Sequence, residues 1–363
     1  MNRNNYKFKK AQRKICKNII FTIAYYNALE YYPTVFFIWK NLIDIKKEGK
    51  KINFIEIAAI IEELNNKKKI TVKNGMYKIA GYQKLKIKNN YSTQLACHSS
   101  KEKILLDGKS RTQKNKNKLL AKRKWGGSWY KRQIQKNKIS VQKIKKARQI
   151  MKISQWVPYL KQAFLTGTLA MKRGSIISDW DVLLIMKKDR IWLGRLFITI
   201  WLTIIGKRRH GKVVNNKFCL NQFIVESNLI FKENNEFLCN ELLVSREFFE
   251  KKYLREIILQ VNASWIKKLK PNYKFKKNIN VNNKFSFFQK AQATLEYLLE
   301  KSKLAKTLNR FTKKIMIKKI INNYKTYLPQ ANIKYDDTIL VFLPSPQQKK
   351  IRQKTFELLT KIS

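Results

Sequence analysis

Acidic residues are scarce in this 363-residue chain. Asp and Glu together number 23 against 79 Lys and Arg, leaving a formal charge of +56 and a pI near 10.2. So few carboxylates cannot neutralise so many cations, and unscreened self-repulsion opposes compaction. A polyanion resolves the imbalance most simply, and RNA or DNA is the expected one. An anionic membrane surface is the weaker alternative, because the charge is spread along the chain rather than set beside an anchor.

Cysteine and histidine are nearly missing too. Cys16, Cys97, Cys219 and Cys239 form no CxxC pair, and His98 and His210 are the only histidines. That excludes zinc-ligand spacing and argues against a disulfide-stapled secreted domain. Long apolar runs are absent. The most apolar segment, LFITIWLTIIG from Leu196, is too short to cross a bilayer. The basic start MNRNNYKFKKAQRK leads into an amphipathic run rather than a secretory h-region. The expectation is a soluble or assembly-bound protein. Hydrophobic residues still make up 44%, enough for a sizeable core.

Lys, Asn and Ile are used heavily, as AT-rich codons favour. A mitochondrial, organelle-encoded gene is the expected origin, and a bacterium with a reduced genome the alternative.

Residues 1–20 read as a basic arm. Apolar residues then recur at helical spacing from Ile19 to about Ile45, broken near Pro33, which predicts two helices. A third starts at Asn53, a good N-cap with Glu56 three residues on. ITVKNGMYKIAG reads as a hairpin turning at Asn74-Gly75. Three helices and a hairpin outline a winged-helix-like unit over 1–90; a generic small helical module is the plainer reading.

Residues 91–150 read as a basic insertion or linker, with helix from about Gln142. Lys122, Arg123, Lys124, Trp125, Trp129, Tyr130, Lys131 and Arg132 mix cations with aromatic rings, as RNA contact requires: cations take phosphates and rings stack on bases. The same rings could instead pack back on the domain. Lys207, Arg208 and Arg209 form a second basic turn. Beyond the core, residues 276–363 read as a basic helical C-terminal region.

The chemistry concentrates in TGTLAMKRGSIISDWDVLLIMKK, from Thr166 to Lys188. On a strand, residues i and i+2 share a face, so Asp179 and Asp181 project together. Two carboxylates so placed repel unless a cation lies between them, and Mg²⁺ bound with phosphate oxygens is one answer. Pairing with Lys172, Arg173 or Lys187 is the other.

The Gly167-Thr168 turn followed by Asp179-Trp180-Asp181 resembles the nucleotidyltransferase superfamily to which DNA polymerase beta belongs, in particular a poorly characterised bacterial branch. The resemblance extends over RIWLGRL, GKRR, FCLNQFI with Leu229, and Asn262, Trp265, Pro271 and Asn272. It implies an α/β (α+β) fold with a mixed-sheet core over 151–275. It also implies Mg²⁺ at Asp179 and Asp181, the residues catalysis would need, and nucleoside triphosphate phosphates at Gly167 and Thr168. The superfamily needs a third carboxylate on the neighbouring strand. The centre of FCLNQFIVE carries Asn221 and Gln222 instead, and Glu226 at its end is the one substitute on offer.

Three functions follow as expectations. The first is a structural RNA-binding protein of a ribonucleoprotein, a mitochondrial ribosomal protein above all, touching rRNA and neighbouring proteins on a degenerate nucleotidyltransferase fold. The alternative is an active Mg²⁺-dependent transferase acting from nucleoside triphosphate on RNA or another acceptor. A winged-helix DNA-binding regulator is the third.

Overall fold

The computed structural model describes residues 3–82, 129–211, 213–249, 254–275 and 287–362, with side chains from residue 12 onward. The fold is mixed α/β, with twelve helices and an open six-stranded mixed sheet among the described residues.

The chain begins with helix α1 (Arg3–Ala28), then α2 (Val35–Lys40) and α3 (Phe54–Asn66). The helix therefore runs through most of the stretch read as a basic arm. Asn53 caps α3 as expected, its side chain accepting from the Ile55 N–H. Strands β1 (Ile70–Lys73) and β2 (Met76–Ile79) pair antiparallel around Asn74 and Gly75. Both turn residues have positive φ, 51° and 69°, which is the requirement of a tight hairpin turn. The order of three helices and a hairpin is the expected one. Buried Asn27 ties the hairpin to α1: its Oδ1 accepts from Ile79 N–H at 2.9 Å.

Helix α4 (Trp129–Ile153) starts thirteen residues before the expected Gln142. Its first turn is pinned by Gln133, which exchanges two hydrogen bonds with the Tyr32 backbone, at 2.6 and 2.9 Å. Strand β3 (Leu160–Leu165) and the one-turn helix α5 (Gly167–Ala170) lead to β4 (Trp180–Met186). Next come α6 (Ile191–Ile204), β5 (Phe218–Val225), α7 (Glu236–Val244) and the two-residue β6 (Arg246–Glu247). Helices α8 (Leu254–Val261) and α9 (Ala263–Leu269) follow.

The last part of the chain holds α10 (Phe287–Lys301), α11 (Leu304–Ile321), β7 (Asn332–Tyr335), β8 (Ile339–Leu343) and α12 (Gln347–Leu359). The region expected to be helical thus also adds two strands to the sheet, whose order is β6-β3-β4-β5-β8-β7. Only β4 and β5 run parallel; the other neighbours are antiparallel.

Alternation along β4 divides the core. Val182, Leu184 and Met186 join Met151, Trp192, Leu202 and Ile320 on one face. Leu183 and Ile185 join Cys239, Leu242, Ile258 and Ile266 on the other. A separate core holds α1–α3 together with Ile351 and Leu358 of α12. Each buried aliphatic side chain contributes ~1.5–3 kcal/mol.

The resemblance positions near the end of the core prove to be junctions. Fully buried Asn262 accepts from Phe231 N–H and Trp265 Nε1 and donates to the Leu229 and Ile258 carbonyls. Asn272 bonds Trp39 O and Ile52 N–H, and Lys270 donates to Tyr26 Oη at 3.0 Å and Asn41 O at 2.6 Å. These contacts fasten the N-terminal helices to the sheet domain.

Candidate functional site

The site forms where β4 and β5 begin. Their parallel register sets Trp180 against Phe218 and Asp181 against Cys219, and then shifts so that Leu183 faces Gln222. One extra residue on β5 is accommodated there, a bulge. The bulge leaves the Asn221 carboxamide against Asp181, to which it donates a hydrogen bond. Upstream, Thr166 N–H donates to Asp181 O at 3.0 Å. Gly167 then turns with φ +67° directly over the Asp181 carboxylate.

Ligand atoms of Asp179, Asp181 and Cys219 lie within 4.8 Å of one another, close enough to surround one ion. The space is already contested. Arg209 forms an ion pair with Asp179 and reaches Cys219 Sγ at 3.4 Å. Its backbone is held by Phe218 O at 2.9 Å, so the guanidinium is presented by the β5 edge itself. From α4, Lys143 Nζ donates to Ser178 O at 2.6 Å and to Asn215 Oδ1 at 2.9 Å.

Burial governs the protonation of the cluster. Loss of water raises the Asp181 carboxyl well above its ordinary range, Asp179 raises it further, and Arg209 and Asn221 oppose the rise. Glu241 of α7 stands on the other side of Gly167 and accepts its N–H. Burial pushes Glu241 up to about 7, with help from Asp181 and against Arg173. The Cys219 thiol is pushed up to about 12, again mainly by burial, then by Asp181. Burial lowers Lys143 to about 8, with Asp179 opposing.

This donor set does not fit a two-metal centre. Magnesium takes hard oxygen ligands in a strict octahedron, and Cys219 offers a protonated thiol. Asn221, the side chain that β5 sets against Asp181, is a neutral carboxamide. Its Oδ1 is buried and has no partner among the described residues. Any ion at Asp179 must first displace Arg209.

Several expected site residues fall elsewhere. Glu226 lies at the far end of β5, beyond the Met186–Val225 pair, and its N–H donates to Met186 O. Seven residues of strand separate it from Cys219, ~23 Å at strand rise, so it does not join Asp179 and Asp181. Of the cations weighed as partners of those aspartates, Lys187 pairs with Glu296 and Glu300, Arg173 lies near Glu241, and Lys172 is exposed. Thr168 lies within α5 beside the site.

Among the expected RNA contacts, Trp129 packs on Tyr32 with centroids 4.6 Å apart. Lys73 lies over the Tyr130 ring at 5.7 Å. Lys131 is exposed, Arg132 half-buried, and Lys207 and Arg208 half-buried. Arg209 is committed to Asp179. Lys122, Arg123, Lys124 and Trp125 lie outside the described residues.

Sequence reasoning did not identify Cys219, Glu241 or the role of Arg209. One signal for Glu241 was available: an acid in the mostly apolar run FLCNELLV of α7. Cys219 and Arg209 became legible only with the β4–β5 register.

Compared with protein-family models, with curated proteins and with solved structures, the chain matches none. The reading of its function therefore rests on its own residues.

Proposed function

We propose that this protein is an RNA-binding structural component of a ribonucleoprotein. Its sheet domain is read as a nucleotidyltransferase-like core that has lost two-metal catalysis, and its N-terminal unit as a winged-helix-like module. One observation carries the proposal: Arg209 occupies Asp179 and Cys219 while neutral Asn221 stands against Asp181. On that reading, the guanidinium takes the place a metal would need.

The net charge of +56 supplies the second half of the argument. Phosphate neutralisation is what so unbalanced a surface is suited to, and binding of that kind weakens steeply with salt. Exposed cations on α4, α11 and α12 spread the charge over several elements, which suits several RNA segments better than a single recognition helix. A mitochondrial ribosome is the assembly the composition suggests, with rRNA as the partner.

The test is sedimentation of tagged protein from a native lysate. The expected outcome is migration with large ribonucleoprotein particles, with release only at high salt. Free protein at low salt overturns the proposal.

The second reading, an active transferase using Mg²⁺ and a nucleoside triphosphate, is favoured by one feature. The Gly167 turn still presses on Asp181. Incorporation of labelled nucleotide into RNA, lost in Asp181→Asn, would establish it; no incorporation with any of the four nucleotides removes it.

A further inference from the structure

Helix α11 carries a second surface that the RNA reading does not absorb. Its inner face is well anchored. Ala305, Thr312 and Ile320 are buried, and Asn309 Oδ1 accepts from Leu193 N–H of α6. Its outer face carries Leu304, Leu308, Phe311 and Ile315, which are 53%, 37%, 61% and 51% exposed. Exposed apolar residues are common singly, but these four repeat at spacings of four, three and four residues.

At 3.6 residues per turn that spacing keeps all four within a stripe ~60° wide and ~16 Å long. This is the narrow seam of a coiled coil, where alternating positions insert into a facing helix. An interfacial helix on a membrane presents a broader apolar face. RNA offers stacking faces and phosphates, yet three of the four side chains are aliphatic and have nothing there to insert into.

The flanks select the occupant. The eighteen residues of α11 include no acid. Arg310, Lys314 and Lys318 line one side of the stripe and Lys319 the other, all exposed. A second copy of this chain would bring the same cations against them and be repelled. Complementary flanking charge sets partner choice in helix pairing.

We infer that the outer face of α11 docks an amphipathic helix of a partner protein, with apolar residues along its seam and Asp or Glu on its flanks. The inference stands apart from RNA binding, and either can fail alone.

The test uses the full-length protein and a designed peptide about four heptads long, with Leu at the seam and Glu on both flanks. Binding is read by fluorescence anisotropy. One control peptide keeps Glu but replaces the seam Leu by Gln; another keeps Leu but carries Lys flanks. The expected result is binding of the first peptide about tenfold or more tighter than either control. Phe311→Ser and Ile315→Ser, which keep every charge, should each remove that preference and leave the far-ultraviolet circular dichroism unchanged. The same two variants are then titrated with oligouridylate RNA and with phosphatidylcholine–phosphatidylserine vesicles, where unchanged binding is expected. Equal binding of the Leu and Gln peptides overturns the inference, since attraction would then be charge alone. So does loss of vesicle or RNA binding in the variants, which would assign the stripe to lipid or to nucleic acid.

Discussion

A β-carbon added at Gly167 would lie 3.1 Å from both Cβ and Cγ of Asp181 and overlap its Oδ2. The glycine also holds φ at +67°, a conformation that other residues adopt only under strain. Gly167→Ala should therefore cost about 2–4 kcal/mol, combining backbone strain with overpacking. Chemical denaturation measures it. An unchanged midpoint would mean that the Asp181 side chain simply moves aside.

Arg209 competes with cations for Asp179. Arg209→Met should expose two adjacent carboxylates and create a divalent-ion site where the native protein has an ion pair. In differential scanning fluorimetry the variant should melt at higher temperature when Mg²⁺ or Mn²⁺ is added, as for any ligand binding only the folded state. The native protein should show no such shift. Equal shifts in both would show that the guanidinium does not block the site.

Lys270 is wholly buried, and burial lowers it from 10.5 to about 8. The unfolded chain then binds more protons between about pH 8 and 10.5, so stability should rise with pH across that window. The gain is on the order of 3 kcal/mol at ~1.4 kcal/mol per pH unit. Lys270→Met should flatten the rise, as read from urea midpoints at several pH values. A rise that persists in the variant would assign it to another group.

Glu241 gives the opposite slope. Its carboxyl is raised from 4.5 to about 7, so the folded state holds a proton that the unfolded chain has released. Its contribution is complete below about pH 4.5 and lost as pH rises toward 7. Asp181 is displaced in the same direction. Glu241→Gln keeps a group of the same shape and should reduce the loss of stability between pH 5 and 7. An unaltered pH profile would place the proton elsewhere.

Asn262 closes four hydrogen bonds in the core, two to backbone carbonyls. Asn262→Ala should destabilise by about 2–4 kcal/mol, because Phe231 N–H and Trp265 Nε1 lose a buried acceptor. The denaturation midpoint is the readout. Full stability would imply that water replaces the carboxamide.

Local signals were the legible ones. Asn53 as a cap, Asn74-Gly75 as a turn, and SDWDVLLI and FCLNQFIV as strands follow from backbone chemistry and side-chain alternation. The first turns of α1 were hidden because lysines crowd its sequence and its apolar seam becomes regular only near Ile15. The start of α4 was hidden for a tertiary reason: Trp129 and Gln133 are fixed by Tyr32, about a hundred positions away. Strands β7 and β8 are short, and β7 is an edge strand with little alternation to read. At the site, the aspartate pair was visible, but Arg209, Cys219 and Glu241 arrive from three other elements. No spacing along the chain encodes such an assembly; register and packing do.

Helix α12 packs on α1, with Ile351 and Leu358 in the same core as Ile19 and Ile23. Synthesis therefore imposes a delay. In a nascent chain α2, α3 and the hairpin can cover part of α1, but the part that meets α12 stays uncovered until residues 351–358 are made, more than three hundred positions later. Contacts so distant in sequence form slowly, and the exposed surface invites mispairing in the interval. The core around α1 is thus begun long before the helix that completes it exists.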